Sequence, residues 1–288
     1  MMDYIAMIQN RKSVRAFRTK KVPASIQSEI KAYYENCPKL LPEVKTELLV
    51  LDESVQKTLE GTAGYEKFMI GAPNYLVLLS EENENAEING GYIMEDLILK
   101  LTELDMNTCW ITFADAAEVK EALKLDTAMK VVAICAFGYG EKTSKLLRLN
   151  IKNMSNVDIT AKRGYYSPKK GIYDMVSLHT WGNIDGLDEM MGFYEDMLWQ
   201  SFYCATLSPS YLNRQPYGFV LENNQVTLVS EPDSYTDKVS ADLGIGIVMR
   251  HFDAAAGQCM GHGAWALTKG ETALELPEGH AAVAVYKL

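Results

Sequence analysis

Several common function classes are excluded by what this 288-residue sequence lacks. No apolar run approaches the roughly 18–20 residues that a membrane-crossing helix needs. The opening stretch MMDYIAMIQNRK is too short and too polar for the apolar segment of a signal peptide, so a cytoplasmic location is expected. Basic charge is in deficit: 28 Lys and Arg against 38 Asp and Glu leave a net charge of −10. That balance argues against general nucleic-acid binding, which needs a basic surface to neutralise phosphates. Histidine is scarce (His179, His251, His262, His280), and no H-E-x-x-H spacing occurs, so no metal site is expected. Cys37, Cys109, Cys135, Cys204 and Cys259 form no C-x-x-C pair and read as free, mostly buried thiols.

What is present is a hydrophobic fraction of 48%, enough for a sizeable core in one large domain or two small ones. The basic residues are unevenly spread, with clusters at 11–21 and 142–170. Such clusters are solvated faces or the walls of a pocket. In an acidic protein they suit a small anionic ligand better than a polyanion.

The two halves of the chain resemble one another. Residues 36–51 lie on 207–222 at an offset of 171, each passing from a helix-like segment through a proline loop into an apolar strand. Residues 91–109 lie on 241–259, and 131–135 on 281–285, both at an offset of 150. Local patterns agree with a duplication. Pro23 opens a helix in which Ile26, Ile30, Tyr33 and Tyr34 recur at helical spacing. Strands are predicted over 46–51, 75–80 and 131–137, the last a near-continuous apolar run expected of a strand covered on both faces. A buried helix is predicted over 91–104, with Ile93, Leu97, Leu101 and Leu104 on one face. The second copy repeats the order with helices over 192–206 and 241–255 and strands over 218–222, 226–230 and 281–286. The expected organisation is therefore α+β, with two pseudo-symmetric copies at 1–150 and 175–288 and a polar, basic connector over 151–174.

Two motifs carry the chemistry. Near the N-terminus stand Arg11, Lys12, Ser13, Val14 and Arg15, with Phe17 completing R-x-S-x-R-x-F. Two hundred residues later comes S-P-S-Y-L-N-R-Q-P-Y, residues 208–217. Alone, the first is equally a basic helix end, and the second an ordinary polar helix-to-strand loop. Together they resemble the two halves of the flavin site in the nitroreductase family of FMN-dependent oxidoreductases, normally contributed by different subunits of a dimer. The closest resemblance is to the fused, single-chain subfamily, in which one chain carries both halves.

That resemblance implies a nitroreductase-like fold and a cofactor, FMN, with NADH or NADPH as co-substrate. It assigns Arg11 and Ser13, within the run that includes Lys12, to the phosphate or ribityl chain, and Arg15 to the N1–C2=O edge. A cation at that edge stabilises the reduced anionic ring. Pro209, Ser210, Tyr211 and Asn213 would lie across the ring, while Gln215 and Pro216 turn the chain into the next strand. Tyr217 replaces the family's usual tryptophan. Asn107, Thr108, Cys109, Trp110 and Ile111 resemble G-T-C-W-I, whose backbone approaches flavin N5; Asp105 and Asn107 stand where glycines are common, and Trp110 also fits a plain core role. Gly138-Tyr139-Gly140, followed by Lys145 and Arg148, resembles an ending whose basic residues close on the phosphate.

Each copy lacks the complementary motif: residues 37–45 keep a proline but not the polar ligands, and Ser177-Leu178-His179-Thr180-Trp181 replaces R-x-S-x-R. One complete site per chain follows, and a pseudo-dimer that can act as a monomer or pair further, and that meets a small-molecule electron acceptor but no nucleic acid or membrane. The resemblance implies ping-pong reduction of nitroaromatics or quinones, with no catalytic acid or base. A flavin carrier or sensor is the rival reading, with Tyr211 and Tyr217 bulky enough to exclude nicotinamide. A fold relic without cofactor is the third.

Overall fold

Two largely antiparallel sheets, one from each half of the sequence, organise the computed structural model of this chain. It describes residues 2–141, 145–153, 156–163, 168–193, 197–222, 224–261, 263–268 and 272–288, with the backbone alone for 145–153, 156–163, 191 and 193. In the first half, α1 (Tyr4–Asn10) and α2 (Ala24–Tyr34) precede β1 (Thr46–Asp52), α3 (Ser54–Leu59) and β2 (Asn74–Ser80). The long α4 (Ala86–Glu103), β3 (Asn107–Ile111), α5 (Ala116–Ala122) and β4 (Lys130–Gly138) follow. A separate hairpin, β5 (Lys145–Asn153) with β6 (Asn156–Arg163), leads on to the second half. There α6 (Ile172–Met175), β7 (Val176–Leu178), α7 (Leu187–Phe193) and α8 (Met197–Thr206) come first. A 3-10 turn (Tyr211–Asn213), β8 (Tyr217–Glu222), β9 (Gln225–Ser230), α9 (Lys238–Cys259), β10 (Trp265–Leu267) and β11 (Ala281–Lys287) complete the chain. The helix expected over 192–206 is thus met by the end of α7 and by α8, with 194–196 outside the described residues.

The duplication is visible in the order of strands. The first sheet runs β1-β2-β4-β3; the second runs β8-β9-β11-β10, with β7 added in parallel beside β8. The β-bulge repeats as well. In the first sheet it falls between Leu78 and Leu79, where Val132 is skipped; in the second it falls opposite Leu228 and Val229, where Val283 is skipped. Bulges re-aim a strand at defined positions, so a shared bulge pins the register of both copies.

These registers correct two of the sequence offsets. The offset of 171 stands for the helix-to-strand passage: Cys37 Sγ donates to Tyr34 O at 3.2 Å, and its counterpart Ser208 Oγ donates to Ala205 O at 2.6 Å. For β4 and β11, however, the bulges pair Val132 with Val283, an offset of 151 rather than 150. For the long helices the offset is 155: a Cβ on Gly91 would meet Leu243 O at 2.3 Å, and one on Gly246 would meet Ile88 O at 1.9 Å. Ile88 is thereby equivalent to Leu243, and Gly91 to Gly246. Gapless comparison missed this because short insertions flank the helix, and a helix tolerates several registers when it is apolar nearly all round.

Those two glycines let α4 and α9 cross with backbone almost against backbone, a separation no side chain permits. The crossing is the seam between the halves, and α1 packs on both helices there. On the far side of α4, β2 is buried along its full length, as is β4 apart from its first residue, because α2 and α4 cover one face and α3 and α5 the other. The apolar run at 131–137 foretold this. Among the described residues the second copy shows no counterpart of α3 or α5, and burial alternates along β11. All five cysteines are free, and four are buried. No described helix is long and apolar enough to cross a membrane, and no metal-binding cluster occurs among the described residues.

Candidate active site

The N-terminal arm reaches the seam by a defined route. Asp3 caps α1 by accepting the Ala6 N–H, and the helix stops at Arg11, whose backbone turns extended. The arm then runs along the free edge of β3: Val14 N–H donates to Thr108 O at 2.9 Å and Arg18 N–H to Tyr139 O at 2.8 Å. Gly140 closes this corner. Its N–H donates to Asn107 Oδ1 at 2.9 Å, a bond that proline at this position would remove. Asp105, standing where glycine is common, takes a left-handed φ of 57°.

Arg11 turns inward while its neighbours do not. Its side chain is only 7% exposed, and Nε lies 3.5 Å from Glu95 Oε1 yet makes no hydrogen bond. Lys12, Ser13 and Arg15 are exposed along the arm, and the Arg15 charge is felt at Cys109. Glu95, on α4, is the hub beneath them. It accepts from Trp110 Nε1 at 2.8 Å and meets His251 Nε2 of α9 at 2.9 Å. Burial alone would push its carboxyl up, but the bond to His251 and the Arg11 charge outweigh this and hold it below the ordinary value. His251 Nδ1 faces Cys204 O at 3.0 Å, so both ring nitrogens face oxygen acceptors. With Glu95 ionised, both bonds form only when the ring carries both protons.

Beside this pair stands its pseudo-symmetric mate. The 155-residue offset carries Glu95 to Arg250 and Asp96 to His251. Arg250 Nη2 lies 2.7 Å from Asp96 Oδ1, and Tyr33 donates to Asp96 Oδ2 at 2.9 Å. Trp265, the equivalent of Trp110, donates to Met249 O instead. Four ionisable groups therefore sit buried at the seam, acids on α4 and bases on α9.

The second motif arrives from the other half. Between α8 and β8 the chain places Leu212, Asn213 and Gln215 at positive φ (47°, 59° and 49°), three strained non-glycine residues in four positions. Hydrogen bonds hold this shape: Gln215 N–H donates to Ser210 Oγ at 2.9 Å, and Gln215 Nε2 to Thr206 O at 2.8 Å. Asn213 Nδ2 bonds Pro168 O, and Lys170 N–H donates to Gln215 Oε1 at 3.0 Å, which ties the loop to residues 168–170, just before α6. Pro209, Ser210, Tyr211 and Asn213 are half-buried. Tyr217 is fully buried, its hydroxyl 2.8 Å from Ser208 Oγ. It therefore cannot occlude a ligand, and the case for a carrier loses one of its two tyrosines.

Lys169 touches the second motif. Nζ donates to Ser208 O at 2.8 Å, and the side chain feels both the Arg11 and Glu95 charges. No described contact joins Lys12, Ser13 or Arg15 to the loop at 208–215. The side chains of Cys109 and Ile111 are packed in the core, and Trp110 is turned to Glu95, leaving the backbone of β3 as the part that faces the arm. The side chains of Lys145 and Arg148, and all of Lys142 and His262, lie outside the described residues. Sequence reasoning missed Glu95, His251 and Lys169. An acidic pair inside one apolar helix and a basic pair inside its duplicate was the available signal.

A cleft of about 490 Å³ occupies the pseudo-symmetric position, lined by Leu40, Leu41 and Glu43, the counterparts of 211, 212 and 214, and by Asn85, Trp265 and Leu267. No arginine lines it. A larger cleft of about 710 Å³ near Asp52, Asn74 and Lys124 touches no residue of the two motifs.

The architecture is that of nitroreductase-type oxidoreductases. A structure described as a putative nitroreductase from Thermotoga maritima is similar over 100% of this chain and 94% of its own, with a TM-score of 0.59 at 17% identity. The chain belongs to the family described as "Putative TM nitroreductase", which matches residues 3–256. An FMN-dependent nitroreductase from Clostridium difficile matches 49% of this chain and 89% of its own, at 19% identity and a TM-score of 0.44. A putative NADH oxidase from Clostridium acetobutylicum matches 48% and 89%, at 24% identity and a TM-score of 0.43. No curated protein matches the chain.

Proposed function

We propose that this oxidoreductase is FMN-dependent, takes hydride from NADH or NADPH, and passes the electrons in ping-pong order to a nitroaromatic or quinone-like small molecule. The observation that carries the reading is Arg11, a buried guanidinium at the seam with an orphaned Nε. A buried donor without a partner is a standing penalty that an anionic ligand relieves, so the residues present fit an anionic cofactor. A bound flavin supplies hydride uptake and electron delivery. The chain's part is to hold it: Arg11, Lys12 and Ser13 at the phosphate and ribityl end, Lys145 and Arg148 closing on the phosphate, and Arg15 at the pyrimidine edge. Pro209, Ser210, Tyr211, Asn213 and Gln215 form the cover from the other half, and the backbone at 109–111 borders the N5 side.

On this reading the units are 1–150 and 175–288 with 151–174 between them. One FMN binds per chain, and the protein works as a monomer in the cytoplasm. The test is the absorption spectrum of protein purified with FMN, followed by anaerobic titration with NADH and NADPH. Bleaching by a nicotinamide, recovery on adding a quinone, and parallel double-reciprocal plots are expected. A flavin that is reoxidised after photoreduction but reduced by neither nicotinamide would make the protein a carrier. Colourless protein that takes up no FMN would sink both readings.

A further inference from the structure

Glu95 and Asp96 enter the seam side by side from α4, and each divides its oxygens in the same way. Asp96 accepts from the Tyr33 hydroxyl on Oδ2 at 2.9 Å and gives Oδ1 to Arg250 of α9. Glu95 accepts from Trp110 Nε1 on Oε2 at 2.8 Å and gives Oε1 to His251 of α9 at 2.9 Å. The two arginines fare differently. Arg250 clasps Asp96 Oδ1 through Nη2 at 2.7 Å and Nε at 2.8 Å. Arg11, whose one carboxylate partner among the described residues is Glu95, stands 3.5 Å from Oε1 with its Nε unbonded. Both guanidinium side chains are almost wholly buried, so access to water does not separate them. What separates them is the group already seated on the carboxylate oxygen. His251 holds Glu95 Oε1 at hydrogen-bond distance, and Cys204 O, 3.0 Å from Nδ1, fixes the ring from its other side. A guanidinium held by charge alone keeps its fork of donors for another anion, whereas one clasped by a carboxylate has committed part of it.

We propose that His251 is a positioning residue: by occupying Glu95 Oε1 from the second half, it keeps the Arg11 guanidinium of the first half unclasped and available to the anionic end of the cofactor. The proposal rests on the flavin reading for its ligand, but the competition for Glu95 Oε1 does not depend on it. Without His251, Glu95 would be a fully buried carboxylate with one oxygen unpartnered, and the cation already at 3.5 Å would close on it. Asp96 and Arg250 show the arrangement that would follow. A base on α9 thus sets how firmly an arm of the other half can hold a ligand.

The test uses His251→Leu, His251→Gln, Glu95→Gln and the double variant His251→Leu/Glu95→Gln, each checked for folding by its thermal melt. The first readout needs no flavin: the nitrogen–proton NMR resonance of Arg11 Nε, assigned by its loss in Arg11→Lys. It should move downfield in His251→Leu, as the proton becomes bonded to carboxylate, and stay near the wild type in His251→Gln, which keeps an N–H donor for Oε1. The second readout is affinity for FMN and for riboflavin. His251→Leu should bind FMN tenfold or more weakly, about 1.4 kcal/mol, and riboflavin much as the wild type does, with His251→Gln near the wild type for both. The double variant should regain wild-type FMN affinity or better, because the carboxylate that captures Arg11 is gone. A histidine that merely supports the fold gives a double variant no better than the worse single one, and that result overturns the proposal. So does equal loss for both flavins in His251→Leu. If His251→Leu does not fold, Glu95→Gln decides: it should bind FMN at least as tightly as the wild type, and a tenfold loss shows that Glu95 aids Arg11 rather than competing for it. If no form binds flavin, the flavin reading fails and the Arg11 resonance alone decides, a downfield move in His251→Leu supporting the competition and an unmoved one overturning it.

Discussion

Replacing Arg250 by methionine would leave Asp96 charged in the seam at 0% exposure, with only the Tyr33 hydroxyl to face it. Arg250 is itself 3% exposed, lies 2.7 Å from Asp96, bonds Asp253 at 3.1 Å, and stacks over Tyr4 at 4.6 Å. Breaking a buried pair from one side costs about 3–5 kcal/mol because the remaining charge loses its partner without regaining water. For a chain of this length, unfolding entropy is on the order of 0.6 kcal/mol per degree, so the midpoint should fall by about 5–8 °C. Asp96→Asn should be nearly as damaging, since it strands the guanidinium. The double variant removes both charges, and should lose at least about 2 kcal/mol less than the sum of the single variants. Calorimetric melts of all four proteins at pH 7 give the coupling directly. Single losses below about 1 kcal/mol, or a double variant equal to the sum within about 0.5 kcal/mol, would show that the pair does not hold the halves together.

Three further outcomes are expected. Gly246→Ala should destabilise by about 2–3 kcal/mol, since its Cβ would stand 1.9 Å from Ile88 O. By contrast Gly244→Ala, with nothing nearer than 3.9 Å, should be neutral or gain up to about 1 kcal/mol from helix propensity. Urea titration distinguishes the two. The Glu95 carboxyl is held below its ordinary value when folded, so its contribution is present above the unfolded value of about 4.3 and is lost as pH falls through the folded one. Glu95→Gln should accordingly flatten the acid limb of a stability–pH curve, and an unaltered limb would argue that the carboxylate gains nothing from its partners. Lys169 runs the other way. An unfolded lysine keeps its proton to about 10.4, whereas the folded one releases it near about 8. The unfolded state therefore binds more protons between these values, and flavin-free protein should gain stability from pH 8 toward 9.5. Lys169→Met should lack that rise, and a rise of equal size in the variant would assign it elsewhere.

Much of this protein was legible in one dimension. The run at 131–137 announced a strand covered on both faces, and α3 and α5 supply the second cover. Pro23 marked the start of α2, and the offset of 171 across the proline loops survives to the level of matched hydrogen bonds at Cys37 and Ser208. These features are local: apolar periodicity and turn chemistry act between residues near in sequence, so they leave a trace there. Registers across the seam do not. The offsets of 155 and 151 depend on which turn of α4 meets α9 and on a bulge shared by distant strands, and only packing selects them.

The site divides in the same way. The sequence alone determined that an arginine arm and a Ser-Pro-Ser-x-x-Asn loop exist and that each half carries one of them. Tertiary structure decided that Arg11 turns inward while Lys12, Ser13 and Arg15 stay exposed, that Tyr217 is core, and that Lys169 reaches the carbonyl of Ser208. Burial and charge balance settle those choices, and both are sums over groups that meet only when the halves close on one another.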